Sequence, residues 1–204
     1  MTFKDILKMH MISESPIGSN GDFKNNKVIQ NQTIGKIGLD KYWKKIKPTF
    51  SKKLKGRTDL EIYFANTRRS IIIGFWKDDE FFIISELFLS TYTDIDKHGY
   101  KNVLQTSEVG TVQEFRDRGY ASSLYLTLLD HGNTLISDYY QYDGARNLWK
   151  GLQGYGIKLD IFDEYENAIT KEHKIIHTDF DSMDKEWSKD PNTEGLRYLF
   201  IAFK

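Results

Sequence analysis

The chain of 204 residues contains no cysteine. Disulfides, thiolate metal ligands and a cysteine nucleophile are therefore excluded, and a reducing compartment is compatible with the composition. No apolar run approaches the ~20 residues needed to span a bilayer. The amino terminus, Met1-Thr2-Phe3-Lys4-Asp5, lacks the basic-then-apolar layout of a signal peptide. A cytoplasmic protein with no membrane partner is the expectation. There is no internal repeat, P-loop, dinucleotide-binding fingerprint or zinc motif. His173 and His177 stand four apart on a segment that does not read as a helix, so no metal site is expected. Net charge is also missing, at zero overall, but its distribution is uneven: 29 basic residues balance 29 acidic ones, while up to Arg57 there are thirteen basic residues against four acidic ones. That arm would suit nucleic acid, an acidic partner protein, or the acidic remainder of its own chain.

What is present divides into an arm, residues 1–58, and a core, residues 59–204. In the arm, Phe3–Met9 can form a short amphipathic helix. Ser13–Ile37 reads as a long loop with room for one strand near Lys27-Val28-Ile29, and Leu39–Ile46 as a helix stopped by Pro48. Phe50–Arg57 is basic and irregular. From Leu60 the character turns to β. Leu60–Ala65, Ser70–Trp76 and Phe81–Leu89 are rich in Ile and Phe, and Lys77–Glu80 makes a hairpin link. Asn102–Val112 predicts a fourth strand and Leu135–Asp138 a fifth. Ile157–Phe162, Ile175–His177 and Leu196–Phe203 complete the set.

The most informative run joins the fourth strand to a helix: Thr111-Val112-Gln113-Glu114-Phe115-Arg116-Asp117-Arg118-Gly119-Tyr120-Ala121. After it, Ala121, Leu124, Tyr125, Leu128 and Leu129 fall on one helical face. The first amides of a helix have no partner inside it, and its dipole favours negative charge there. A turn with two arginines and a glycine at that place is a ready anion site. Its alternative is a plain surface connection.

Arg116-x-x-Gly119-x-Ala121 resembles the pyrophosphate-binding signature of the GNAT superfamily of N-acetyltransferases. Ala145-x-x-Leu148-Trp149-x-x-Leu152, after the short fifth strand, resembles the superfamily's next helix. The resemblance implies an α/β (α+β) fold with a mixed, mostly antiparallel twisted sheet flanked by helices. It implies acetyl-CoA, or another acyl-CoA, as co-substrate, an amine acceptor and no metal. Arg116, Asp117, Arg118, Gly119, Tyr120 and Ala121 would hold the pyrophosphate. Thr111 and Val112 would pair with the pantetheine arm, and the Val112 N–H would face the thioester oxygen.

Two positions depart from the pattern. The usual tyrosine acid aligns with Trp149, whose indole N–H cannot serve as such an acid, and the usual asparagine aligns with Tyr142. Trp149 reads as core from its spacing. Ser137, Tyr139, Tyr140 and Tyr142 offer hydroxyls close by in sequence. For a base that takes the amine proton, the candidates are Glu86, Glu108 and Asp138. Glu86 stands alone in an apolar run, where it either faces water or sits with a raised pKa beside a pocket; Asp138 has helix or turn capping as its alternative. The expected activity is direct acyl transfer to an amine. The competing expectation is a binding or structural module that keeps the fold without the chemistry, and the basic arm adds a nucleic-acid-associated variant.

Overall fold

A computed structural model describes residues 32–92, 95, 98–138, 143–163, 174–177 and 198–204. The expected helix Phe3–Met9, the strand near Lys27–Ile29, Tyr139, Tyr140, Tyr142 and His173 lie outside them. The described chain is a mixed α+β structure: one mostly antiparallel ten-stranded sheet with three helices.

Residues of the amino-terminal arm enter the sheet directly. Strand β1 (Gln32–Gly35) pairs with β5 (Glu80–Thr91) over Glu80–Ile83. Helix α1 (Lys36–Tyr42) follows, and then β2 (Trp43–Ile46), which pairs with β3 (Glu61–Ala65). The helix expected over Leu39–Ile46 therefore ends at Tyr42. Beyond it, Trp43 and Ile46 find apolar cover on the sheet, and pairing to β3 overrides local helical preference.

β3, β4 (Ser70–Lys77) and β5 form an antiparallel meander. All of Ser70–Phe75 is buried, as β-branched and aromatic runs are when a strand is covered on both faces. The β4–β5 hairpin closes through Asp78 and Asp79 at φ 49° and 63°. Two positive φ values define the turn that matches the twist of paired strands, and Asp tolerates that conformation. A bulge interrupts this ladder between Ile73 and Gly74. There the Phe82 carbonyl oxygen lies 1.9 Å from where a Cβ on Gly74 would stand, so only glycine fits.

β6 (Val103–Thr111) continues the antiparallel order beside β5. Then α2 (Tyr120–Asp130) carries the chain back to β7 (Thr134–Ile136), which runs parallel to β6. Parallel neighbours need such a crossover; this is the one parallel pair among the described strands. After α3 (Asp143–Gln153) come β8 (Lys158–Asp163), β9 (Lys174–His177) and β10 (Tyr198–Phe203). β10 inserts between β7 and β8, giving the order β2-β3-β4-β5-β6-β7-β10-β8-β9.

The main core lies between one face of this sheet and α2 with α3. Leu124, Leu128 and Trp149 pack there on Ile73, Ile84, Leu104 and Phe200. Full burial of each such leucine stabilises by roughly 1.5–3 kcal/mol. The opposite face carries two smaller clusters. One, under α1, joins Leu39 to Tyr63, Ile72 and Phe81. The other joins Ile95, Val103, Phe162 and Ile201.

Candidate functional site

The parallel pair does not stay paired. β7 bonds β6 only from Val103 to Gln105, whereas β6 runs on to Thr111. At Ser137 the chain turns to β10: the Ser137 N–H donates to the Phe200 carbonyl at 2.8 Å, and the Phe200 N–H donates to Ser137 Oγ at 2.9 Å. Two side chains stitch the point of divergence. Gln105 Nε2 donates to the Ser137 carbonyl and Thr106 Oγ1 to the Ile136 carbonyl, both at 3.3 Å. Just beyond, the β5–β6 register shifts, so that Phe88 faces Glu108 and Leu89 faces Thr106. Ser107 is the extra residue of a β-bulge, which bends and twists its strand. The result is a fork whose arms are β6 after Gln105 and the chain after Ile136.

Beyond the fork, the direction of the β6 backbone can be assigned from one bond. The Val112 N–H donates to the Ile84 carbonyl at 2.9 Å. Backbone groups alternate along a strand, so those of Val109 and Thr111 point away from β5, toward the fork. Among the described residues no strand pairs with that edge. The Val112 N–H, expected to face a thioester oxygen, instead donates to the Ile84 carbonyl.

The open edge leads to the turn before α2. A single 3₁₀ turn, Gln113–Phe115, follows Val112, and Asp117 and Gly119 then adopt φ 58° and 87°. Gly119 is the N-cap of α2, which begins at Tyr120, and no side chain caps it. The first helical bond in the turn is Ser123 N–H to the Gly119 carbonyl at 3.0 Å. The amides of Tyr120, Ala121 and Ser122 thus precede the first carbonyl able to take them, and the dipole end is electropositive. Arg116 and Arg118 are half-buried beside it. The Arg118 guanidinium lies 5.6 Å from the Phe115 ring centre, which keeps it near the turn.

The arm supplies a second layer. Residues 47–57 run along α2 in the opposite direction, fixed mainly by backbone groups. Thr49 N–H donates to Thr127 Oγ1 at 2.8 Å, Ser51 N–H to Ser123 Oγ at 2.9 Å, and Lys55 N–H to the Arg118 carbonyl at 3.1 Å. The Tyr120 hydroxyl donates to the Lys55 carbonyl at 2.8 Å, and Ser51 Oγ also bonds the Tyr155 hydroxyl. The close approach that Gly119 permits is to this segment: a Cβ there would stand 2.9 Å from Ser51 Oγ and 3.0 Å from the Leu54 nitrogen. Lys52, Lys53 and Lys55 are exposed at the same end of α2. Arg57 is engaged elsewhere, bonded to Asp59 and lying 3.6 Å over the Phe75 ring.

The three carboxylate candidates fall in different places. Glu86 does not face water: it is 1% exposed and accepts a 2.5 Å hydrogen bond from Ser70 Oγ. Its cross-strand neighbours are Ile72 and Gly110, so it lies one strand in from the fork. Glu108, on the bulged part of β6, and Asp138, just after Ser137, are both half-buried and stand on the two arms of the fork. Trp149 is core, 1% exposed, with its ring 5.8 Å from that of Tyr125 in an edge-to-face contact.

Tyr125 makes a polar contact that the sequence conceals. Its position on the apolar face of α2 marks it as packing, and it is 3% exposed. Its hydroxyl nevertheless reaches the side chain of Thr106 at the closed end of the fork, within electrostatic range of Asp138. Burial pushes the phenol far above its ordinary pKa, and the charge of Asp138 adds to this. A buried tyrosine must place its hydroxyl somewhere, and that was the only available signal.

No protein-family model matches this chain, and no curated protein matches it. Among the described residues there is no group of His, Cys, Asp or Glu able to hold a metal ion, and no helix long and apolar enough to cross a membrane.

Proposed function

We propose that this protein is an acyl-CoA-dependent N-acyltransferase of GNAT-like fold, using acetyl-CoA to acylate an amine by direct transfer. One observation carries the reading: an edge of β6 with which no described strand pairs leads from the fork to an uncapped helix N-terminus flanked by arginines. An extended ligand with amides along its length and phosphates at its end fits both parts. The edge supplies strand-like hydrogen bonds, as in β-strand addition, and the helix end binds the anion. Acyl-CoA has that build, with its thioester at the end remote from the pyrophosphate.

In this reading Arg116, Arg118 and the amides from Arg118 to Ala121 hold the pyrophosphate, while Asp117 and Tyr120 shape the turn. The exposed lysines at positions 52, 53 and 55 add a basic rim. Thr111 and Val109 pair with the pantetheine amides. Transfer requires an uncharged amine, so a carboxylate near the fork takes its proton. Asp138 and Glu108 stand on the arms of the fork and fit this role; Glu86 fits only if the amine is reached across Gly110. Tyr142 remains a proposed hydroxyl outside the described residues.

The buried Trp149 favours a second reading, a module that binds without catalysis. Consumption of acetyl-CoA with a broad panel of amines separates the two, for wild type and for Asp138→Asn, Glu108→Gln and Glu86→Gln. Turnover that falls in one of these variants at neutral pH, and partly recovers at higher pH, supports catalysis. Folded wild type that turns over none of the amines supports the module.

A further inference from the structure

We propose that residues 47–55, where the arm crosses α2, form a binding surface for single-stranded nucleic acid. The proposal does not rest on acyl transfer. Residues 47–57 carry Lys47, Lys52, Lys53, Lys55 and Arg57 and no acidic residue. Arg57 is neutralised by Asp59. The four lysines are exposed, and none has an ion-pair partner among the described residues. Helix α2 beside them has one acid, Asp130, which Thr49 and Lys204 already engage. Like charges held together repel one another, and a polyanion relieves that repulsion.

The row is fixed through its backbone, which leaves its side chains to the outside. Besides the bonds of Thr49, Ser51 and Lys55 to α2, His131 Nε2 donates to the Lys47 carbonyl at 3.2 Å. The Leu54 N–H donates to the Ser51 carbonyl at 2.9 Å, closing a turn with Lys52 and Lys53 at its two corners. Past Lys55 the cations continue into the next element: Arg118 Nη1 lies 3.4 Å from where a Cβ on Gly56 would stand.

Among these cations stands Phe50, 40% exposed. A single exposed apolar side chain needs no explanation by itself; its setting is what matters. Lys47 precedes it, and Lys52 and Lys53 follow it directly after the buried Ser51. An aromatic ring between cations on a fixed backbone suits a single strand, whose bases stack on the ring while its phosphates meet the lysines. A duplex hides its base faces in its own stack, and an acidic protein offers charge without them. RNA and DNA share both features.

The test is fluorescence anisotropy with labelled oligo(U), oligo(dT) and a duplex, using the full chain over a range of salt. Either single strand should bind more tightly than the duplex at the same salt, and the better of the two separates RNA from DNA. Log affinity should fall against log salt with a slope of about −3, as four phosphate contacts require. Phe50→Ala and Phe50→Leu should each weaken binding about tenfold with the salt slope unchanged, while Phe50→Trp keeps wild-type affinity. Lys52→Gln/Lys53→Gln should make the slope shallower by about 1.4. Phe50→Leu keeps the apolar contact of the side chain, so it serves as the decisive variant should Phe50→Ala not fold. Wild-type affinity in Phe50→Leu would overturn the proposal. So would absence of binding to both single strands at low salt, a duplex bound as tightly as they are, or tighter binding to vesicles of anionic phospholipid than to either strand.

Discussion

From β2 to β5 each strand lies antiparallel to its neighbour, the links are short, and polar side chains are used up locally. Glu61 shows this best. It accepts bonds from Lys45 Nζ at 2.5 Å, the Tyr63 hydroxyl at 2.6 Å and Trp76 Nε1 at 3.1 Å. Between β6 and β7 the same sheet does the opposite: a parallel pair separates after three residues, a bulge turns one arm, and the following helix begins without a cap. Open strand edges and free helix amides cost stability unless something satisfies them. One half of the sheet holds the fold together, and the other, on the proposed reading, keeps hydrogen-bonding capacity available for a ligand.

Breaking the closed half should give the largest loss of stability. Gly74→Ala places a methyl group against the Phe82 carbonyl. A loss of about 3 kcal/mol is expected, seen in thermal unfolding as a fall of roughly 6–12 °C. A melting temperature within 2 °C or so of wild type would show that the bulge relaxes easily.

A smaller effect is expected at the seam between the arm and α2. Ser123→Ala removes the acceptor of the buried Ser51 N–H, at a cost of about 1–2 kcal/mol. Denaturant unfolding measures it, and unchanged stability would mean that the arm docks without this bond. Retention of the wild-type protein on nucleic acid at low salt, with steep loss on adding salt, would show that the arm lysines serve a polyanion as well.

The smallest effect is a pH dependence in the closed half. Burial pushes the Glu61 carboxyl up, but donation from Lys45, Tyr63 and Trp76 outweighs it and holds the group below its ordinary 4.5. A depressed carboxylate contributes stability that is present above its unfolded pKa and is lost as pH falls through the folded one. The stability difference between wild type and Glu61→Gln should therefore be constant from pH 7 to about 5 and should shrink on acidification below 4.5. A gap that does not change between pH 5 and pH 3 would mean that the network does not depend on charge.

The sequence revealed the elements better than their edges and partners. Alternation and Ile-rich runs located β3 to β6, and the stripe Ala121–Leu129 located α2, because burial on one face leaves a period. The switch from α1 to β2 at Trp43 was hidden, since only pairing to β3 decides it. The fork was hidden as well: it depends on where β7 parts from β6, a fact about two segments thirty residues apart. The turn Arg116–Gly119 and the helix start after it were readable from local chemistry, because the glycine and the apolar stripe that follows mark that junction. Glu86, however, is as compatible with solvent as with the Ser70 bond until its burial is known. Tyr125 was counted as apolar, and the occupied N–H of Val112 could not be seen before its neighbour was placed.

The central claim is that the fork and the α2 N-terminus together bind acyl-CoA, and ligand-dependent unfolding tests it most directly. Binding to the native state at 100 times Kd stabilises by about 2.7 kcal/mol, or roughly 5–11 °C in melting temperature. Acetyl-CoA should raise the melting temperature of the wild type on that scale. The shift should largely vanish in Arg116→Ala/Arg118→Ala, a cleaner change than Gly119→Asp, which would also displace Ser51 and Leu54. No shift in the wild type at millimolar acetyl-CoA, or an equal shift in the double variant, would contradict the account.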